Sequence, residues 1–478
     1  MLLQHSGIYA IARGLPGVIN FLAIIAWTRL LPPEQYGRYA LVIAAVMLAN
    51  KVVFGWLRLG VLRFLPGLGD DHRAFLSTLK AGFVLMAGLT GLLGGISMVF
   101  VSDPTYRGLL AAGVVLLWSQ SLFELHLEIA RSQLSPVRYG LLALIKSLLA
   151  LALGIVFVEL GFGAYGLIFG LTLGLLIAAV PAMLRDWPGA RIGLWDRAWL
   201  RQMWVYGAPL SGTAALVFVV GSSDRFLIAW LLDEDAVGRY AVGYDLASSA
   251  MVLLMMIINL AAYPLAVRAL EQQGPAAAAR YLLQNCTALL WIGLPAAVGL
   301  VLLAPNLALV LVGHQFRVDA AAIIPVIALA TLLDGIKQYH LDLAFHLGRR
   351  TIWLIWVTLA TAATNIVLNL WWIPAFGIIG AAYATLAAFA LGLALSRWVG
   401  RQVFALPWPG GESVKIAMAT AGMGGAIWLL ADGRGIVALA GQVFCGIITY
   451  GSLCWLLDVG GTRRMLTQKA GRYWRAVP

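Results

Sequence analysis

The sequence predicts an all-α, polytopic membrane protein of about fourteen transmembrane helices, set out as two pseudo-symmetric six-helix lobes followed by two further helices. Three observations predict this: the composition, the recurrence of apolar windows and an internal duplication. Of 478 residues, 62% are hydrophobic and only 11% are charged, far below the roughly 25% charged residues of soluble proteins. A water-soluble fold cannot hide that much apolar surface. A spanning helix needs about 20 mostly apolar residues, because the hydrocarbon core is about 30 Å thick and a helix rises about 1.5 Å per residue.

Windows of about 19 residues place the spans at 8–30, 39–57, 77–101, 109–130, 137–158, 163–184, 207–231, 240–266, 281–304, 320–346, 351–373, 377–399, 414–431 and 436–457. The first begins where a secretory signal would, but Arg13, Gly14 and Pro16 interrupt it and the apolar run continues to Leu30. It therefore reads as a permanent span. The 52 glycines and 18 prolines sit mainly inside apolar runs such as Ala81–Phe100, where small residues allow helices to pack closely in lipid. Cys286, Cys445 and Cys454 lie within spans and lack metal-ligand spacing. Neither a disulfide framework, a metal site nor a cofactor is expected.

Lys and Arg collect on the cytoplasmic side of membrane proteins. With the N-terminus inside, the inner segments hold 22 of the 33 Lys and Arg residues and the outer loops hold 6. Both termini are thus expected in the cytoplasm, and the even number of spans agrees. The net charge of +12 is spread over inner loops facing anionic lipid rather than drawn into one groove, so no nucleic-acid partner is implied.

Residues 30–40, LLPPEQYGRYA, align with residues 231–241, LLDEDAVGRYA, each in the outer loop after the first span of a six-helix set. Residues 162–166, FGAYG, likewise align with 376–380, FGIIG, at the opening of the sixth span of each set. Six spans separate the copies, so both halves share an orientation and the repeat axis runs along the membrane normal. The expected divisions are an N-lobe of residues 1–190, a C-lobe of 191–400 facing it across a central cavity, and residues 401–478 with two more helices and a basic cytoplasmic tail. Between the lobes, Trp187, Trp195, Trp199 and Trp204 alternate with Arg185, Arg191, Arg197 and Arg201. That pattern suits a helix lying in the inner interface, either as a plain anchored linker or as a hinge.

The run Arg29-Leu30-Leu31-Pro32-Pro33-Glu34-Gln35-Tyr36-Gly37-Arg38-Tyr39 after an apolar helix resembles the opening of bacterial polysaccharide transporters. Ser223-Asp224-Arg225-Phe226-Leu227-Ile228 with Val237-Gly238-Arg239-Tyr240 is similar to their seventh helix and following loop, and Phe376-Gly377-Ile378-Ile379-Gly380-Ala381-Ala382 to their twelfth. These are the O-antigen and exopolysaccharide flippases of the multidrug, oligosaccharidyl-lipid and polysaccharide exporter superfamily. The resemblance covers roughly residues 5–400. It implies a flippase of the cytoplasmic membrane, not an enzyme, that carries an undecaprenyl-diphosphate-linked oligosaccharide from inner to outer leaflet by alternating access. H⁺ or Na⁺ is the candidate driving ion, and a polysaccharide polymerase or copolymerase a candidate partner.

Ionised groups inside a span cost at least about 2.5–3.5 kcal/mol on insertion scales, so they normally face a wet cavity or a partner. The intramembrane bases are Arg13, Lys51, Lys146, Arg225 and Lys337; the acids are Glu124, Glu128, Asp224, Asp245, Asp334 and Asp342. The N-lobe is the more cationic. A diphosphate needs cationic partners to leave water, so Arg13, Lys51 and Lys146 are the expected substrate-binding residues, joined by Arg58 one heptad beyond Lys51. The competing reading pairs each with a local acid such as Glu124 or Glu128. In the C-lobe, Asp334 with Lys337 and Asp342 with His346 share helix faces. These are internal pairs or, on the sharper reading, Asp334 or Asp342 takes up the driving ion, with Lys337 and His340 nearby. Asn20, Gln120, Asn259, Asn365 and Asn369 could meet sugar hydroxyls or neighbouring helices.

No Walker loop, zinc-protease helix or serine elbow is present, which disfavours an ATP-driven pump or an intramembrane hydrolase. The rivals are a multidrug or toxin cation antiporter of the same superfamily and a membrane polysaccharide polymerase or ligase. The former calls for an acidic, aromatic cavity without N-lobe cations. The latter calls for a large outer catalytic loop, whereas the longest here lies near 305–319.

Overall fold

Prolines and glycines set the helix ends. The computed structural model describes residues 2–68, 72–187, 189–461 and 463, with side chains from Gly14 onward except at 260–263. Helix α1, Leu2–Leu30, ends at the extended Pro32, and Pro33 opens α2, Pro33–Ala49; a proline there loses no hydrogen bond. Through a π-helical turn, Asn50–Phe54, α2 continues into α3, Gly55–Phe64. Four more follow: α4 Arg73–Phe100, α5 Pro104–Ser132, α6 Pro136–Phe157 and α7 Gly163–Asp186. Next come the long α8 Arg197–Leu231, α9 Glu234–Gln273 and α10 Pro275–Leu311. Helix α11, Arg317–Ile336, passes through a second π turn, Lys337–Leu341, to the short α12, Leu343–Leu347. The last four are α13 Ile352–Phe376, α14 Ile378–Val403, α15 Gly410–Trp428 and α16 Ile436–Leu456.

Every expected span falls on a helix, and no strand occurs among the described residues. Among the described residues, eleven helical stretches are long and apolar enough to cross a membrane. One of these, Pro136–Asp186, is really two spans, because Gly161 (φ 89°) and Gly163 (φ 55°) break it. The part of α1 whose side chains are described is a shorter apolar helix, Gly14–Leu30, and α15 completes fourteen. The chain is a multi-pass membrane protein.

By packing, the chain divides into two compact units, residues 1–241 and 242–478. The sequence repeat instead places a boundary at 190; the one division follows duplication, the other follows contacts. In the first unit α6 lies along α7, α1 along α6, and α3 against α5 and α8. The backbones of α6 and α7 approach so closely that a Cβ on Gly170 or Gly174 would strike the α6 backbone at Gly154 or Ala150, the small-residue packing that lipid-embedded helices rely on. Phe54, Trp56, Leu79, Leu116, Ile168 and Met203 form the core. In the second unit α10 packs on α11 and α15, and α14 on α11 and α13. Its core includes Met251, Met255, Leu289, Leu332 and Ile336.

The duplication has a structural counterpart. Gly163 (φ 55°, ψ −130°) and Gly377 (φ 64°, ψ −147°), equivalent in the repeat, share a conformation open only to glycine and open equivalent helices. At the other repeat, a Cβ on Gly37 would run into the Glu234 carbonyl, and one on Gly238 into the Pro33 carbonyl. Gly37 and Gly238 are repeat equivalents, as are Pro33 and Glu234, so the first turns of α2 and α9 meet reciprocally. The ion pairs follow suit: Arg38 holds Glu34 at 2.6 Å and Arg239 holds Asp235 at 2.5 Å, with Arg38 also reaching Glu234 at 2.6 Å.

The segment expected to form a separate interfacial helix does not do so. α7 runs on to Asp186, a single 3₁₀ turn follows at Ile192–Leu194, and α8 starts at Arg197. The Asp196 side chain accepts from the Ala198 amide at 2.7 Å and caps α8. The tryptophans and arginines are therefore divided between the linker and the first turns of α8.

Candidate functional site

The first π turn builds a polar cluster in the first unit. π turns insert one residue into an α-helix and recur at functional sites. Here the insertion turns Asn50 into a buried position against α5. The Asn50 amide donates to Glu124 at 2.9 Å, and its carbonyl accepts from the Ser121 hydroxyl at 2.9 Å. Gln120 donates to Glu124 at 2.5 Å, and Arg58 forms an ion pair with the same carboxylate. Glu124 is thus held by three donors, one of them charged. On the far side, Gly55 and Gly207 let α8 close on the turn, since a Cβ at Gly207 would hit the Trp56 backbone.

Lys51 is the second residue of that turn. Its ammonium stands 5.5 Å from the Phe218 ring on α8, within cation–π range, and feels the Arg58 charge. No carboxylate pairs with it among the described residues. Lys146, half-buried on α6, likewise has no ion-pair or hydrogen-bond partner among the described residues. Pairing with a local acid therefore accounts for Arg58 but for neither lysine. Glu128, the other acid considered, lies 3.6 Å from Arg131. The turn brings Lys51 and Arg58 together; no described contact joins Lys146 to them. The Arg13 side chain lies outside the described residues.

In the second unit the other π turn changes the expected partners. Lys337 pairs with Asp342 at 2.8 Å, not with Asp334, because the wider turn sets residues five apart side by side. Ser396 on α14 donates to the second Asp342 oxygen at 2.7 Å, and both members of the pair are buried. Asp334 accepts from Gln338 at 3.1 Å. His340 is buried, its ring 6.3 Å from that of Trp408, over which Arg397 lies at 5.4 Å. Among the neutral candidates, Gln120 belongs to the Glu124 cluster. Asn365 donates to Thr385 of α14 at 3.4 Å and accepts from Asn369 at 3.1 Å. Asn20 is exposed, and the Asn259 carbonyl is buried without a hydrogen bond among the described residues.

Sequence reading missed Asn50 and Ser121, although two small polar residues beside Lys51 and Gln120 in apolar spans were the available signal. It also missed His126, buried and 2.8 Å from Asp186, which Arg138 holds at 2.5 Å. That group ties together α5, α6 and α7. A cavity of about 470 Å³ between α2, α5 and α8 has almost wholly apolar walls, among them Leu41, Val46, Leu109 and Leu117. Arg38, the cation on its wall, is already paired with Glu34 and Glu234, and the remaining apolar walls cannot coordinate a phosphate.

A family model described as polysaccharide biosynthesis protein matches residues 26–321. No curated protein matches the sequence. Among solved structures, the fold is similar to the lipid II flippase MurJ in an inward closed conformation, with TM-score 0.76 and 15% identity over 94% of this chain and 98% of that one. An inward-facing multidrug resistance MATE family transporter of the MOP superfamily matches with TM-score 0.64 and 15% identity over 83% of this chain and 98% of its own. A MOP superfamily transporter from Pyrococcus furiosus matches with TM-score 0.59 and 13% identity, covering 84% and 94%.

Proposed function

Because the chain belongs to the polysaccharide biosynthesis protein family, we propose that it is a flippase for a lipid-linked oligosaccharide whose anchor is a diphosphate, moved from inner to outer leaflet of the cytoplasmic membrane. The observation that carries this reading is the pair of unneutralised cations in the first unit. Lys51 and Lys146 sit within apolar helices with no carboxylate partner among the described residues, a costly arrangement unless an anion arrives to meet them. A diphosphate supplies that anion. Lys offers a point charge rather than the planar fork of Arg, which suits capture followed by release. Arg13 and Arg58 complete the proposed set.

Cargo binds from the cytoplasmic side, where the positive loops and both termini lie, and leaves outside by alternating access while its hydrocarbon tail stays in lipid. No covalent bond changes. H⁺ or Na⁺ is the proposed driving ion, taken up near Asp334 and the Lys337–Asp342 pair, with His340 beside them. A polymerase or copolymerase is the proposed partner that receives the exported sugar. Export of organic cations is disfavoured, because Lys51 and Lys146 would repel them.

The test is flipping of a fluorescent lipid-diphosphate sugar in proteoliposomes. Replacing Lys51 and Lys146 together with Ala lowers the rate at least about tenfold, the loss of about 1.4 kcal/mol of charge-assisted binding. A rate equal to that of the unaltered protein, at equal insertion, would rule the reading out.

A further inference from the structure

We infer that Glu124 is a built-in counter-anion that decides which phosphorylated lipids reach Arg58: a diphosphate displaces it, whereas the singly charged phosphodiester of an ordinary membrane lipid does not. This inference rests on the diphosphate reading given above. Glu124 does not touch the cargo; it is a positioning residue acting through Arg58.

Any exposed cation in a span faces a bilayer in which phosphodiester head groups are vastly more abundant than a biosynthetic intermediate. An open Arg58 would be occupied by them, because guanidinium groups bind phosphate oxygens well. Here that place is already taken by the Glu124 carboxylate, which is held by Arg58, by Asn50 at 2.9 Å and by Gln120 at 2.5 Å. Asn50 is itself fixed by Ser121 at 2.9 Å, so the carboxylate sits in a prepared cradle and not by chance.

An incoming anion must replace one charge–charge contact, that of Arg58 with Glu124, while the two amides keep the carboxylate in place. A phosphodiester brings one negative charge and regains only what it displaces. A diphosphate brings at least two, and Lys51 stands on the π turn beside Asn50 with no carboxylate partner among the described residues. It can engage Lys51 and Arg58 at once, which the single charge cannot. Selectivity then comes from a penalty on the wrong ligand as much as from attraction to the right one. Glu124 itself does not leave the cluster, because Asn50 and Gln120 remain to hold it.

The experiment uses the full chain in nanodiscs of phosphatidylcholine alone or with about a quarter phosphatidylglycerol, with farnesyl diphosphate as the probe and its binding read by calorimetry. The unaltered protein binds the probe equally in both discs. Glu124→Gln binds it at least as well in phosphatidylcholine but about tenfold more weakly once phosphatidylglycerol is present, since the vacated Arg58 now takes the net-anionic phosphodiester of phosphatidylglycerol, whose charge no choline neutralises. Glu124→Asp restores insensitivity to phosphatidylglycerol, which a merely structural role would not predict. Should Glu124→Gln fail to insert, Gln120→Ala, which removes one donor, gives the same sensitivity in weaker form. Equal binding of Glu124→Gln in the two discs overturns the counter-anion and leaves the diphosphate site standing. Absence of probe binding by the unaltered protein, or no weakening by Lys51→Ala, overturns both.

Discussion

The two π turns at Asn50–Phe54 and Lys337–Leu341 are the same local device put to opposite ends. Each carries a lysine inside an apolar helix. Lys337 is buried, paired with Asp342 at 2.8 Å, and that carboxylate is further fixed by Ser396. Lys51 stands three positions from the buried Phe54, with an aromatic ring for company and no carboxylate partner among the described residues. The acid near it, Glu124, is spent on Arg58. The first turn therefore presents charge and the second conceals it. One sequence thus contains both the proposed anion site and a closed ion pair that is the proposed seat of ion coupling.

That contrast can be broken from the second turn first. Asp342→Ala leaves Lys337 buried and unpaired and is expected to cost about 3–5 kcal/mol, read as a large fall in detergent-resistant unfolding temperature. Replacing both residues, Lys337→Met with Asp342→Leu, returns most of that stability, because two matched apolar side chains leave no buried charge. If the single variant is as stable as the parent, Lys337 is not confined as described. The corresponding change at the first turn is much gentler. Lys51→Ala breaks no ion pair and is expected to shift stability by about 0.5 kcal/mol or less while lowering transport. A stability loss matching that of Asp342→Ala would mean that Lys51 is structural and that the contrast is false.

Much of the fold was legible because lipid leaves a chain few options: each spanning segment must satisfy its own backbone, so apolar length alone locates helices. The duplication was legible too, down to Gly163 and Gly377, since only glycine takes their backbone angles. The reciprocal contact of Gly37 and Gly238 was not, because alignment pairs residues without saying that they touch. The π turns were also invisible: nothing in NKVVF or KQYHL announces an inserted residue, and that insertion moved the partner of Lys337 from Asp334 to Asp342. Glu124 and Asn50 are 74 positions apart, and their meeting depends on how α2 and α5 pack rather than on either helix alone. The expected interfacial helix at 185–204 failed for a local reason, the Asp196 cap that begins α8.

The most direct test compares the two lysines by chemistry. With Cys286, Cys445 and Cys454 replaced, Lys51→Cys and Lys337→Cys are each exposed to a membrane-impermeant thiol reagent in inverted vesicles, with and without a lipid diphosphate. The account predicts that position 51 reacts, that the diphosphate slows it about tenfold or more, and that position 337 stays inert in both conditions. Reaction at 337 with none at 51, or labelling of 51 that the diphosphate leaves unchanged, would contradict it.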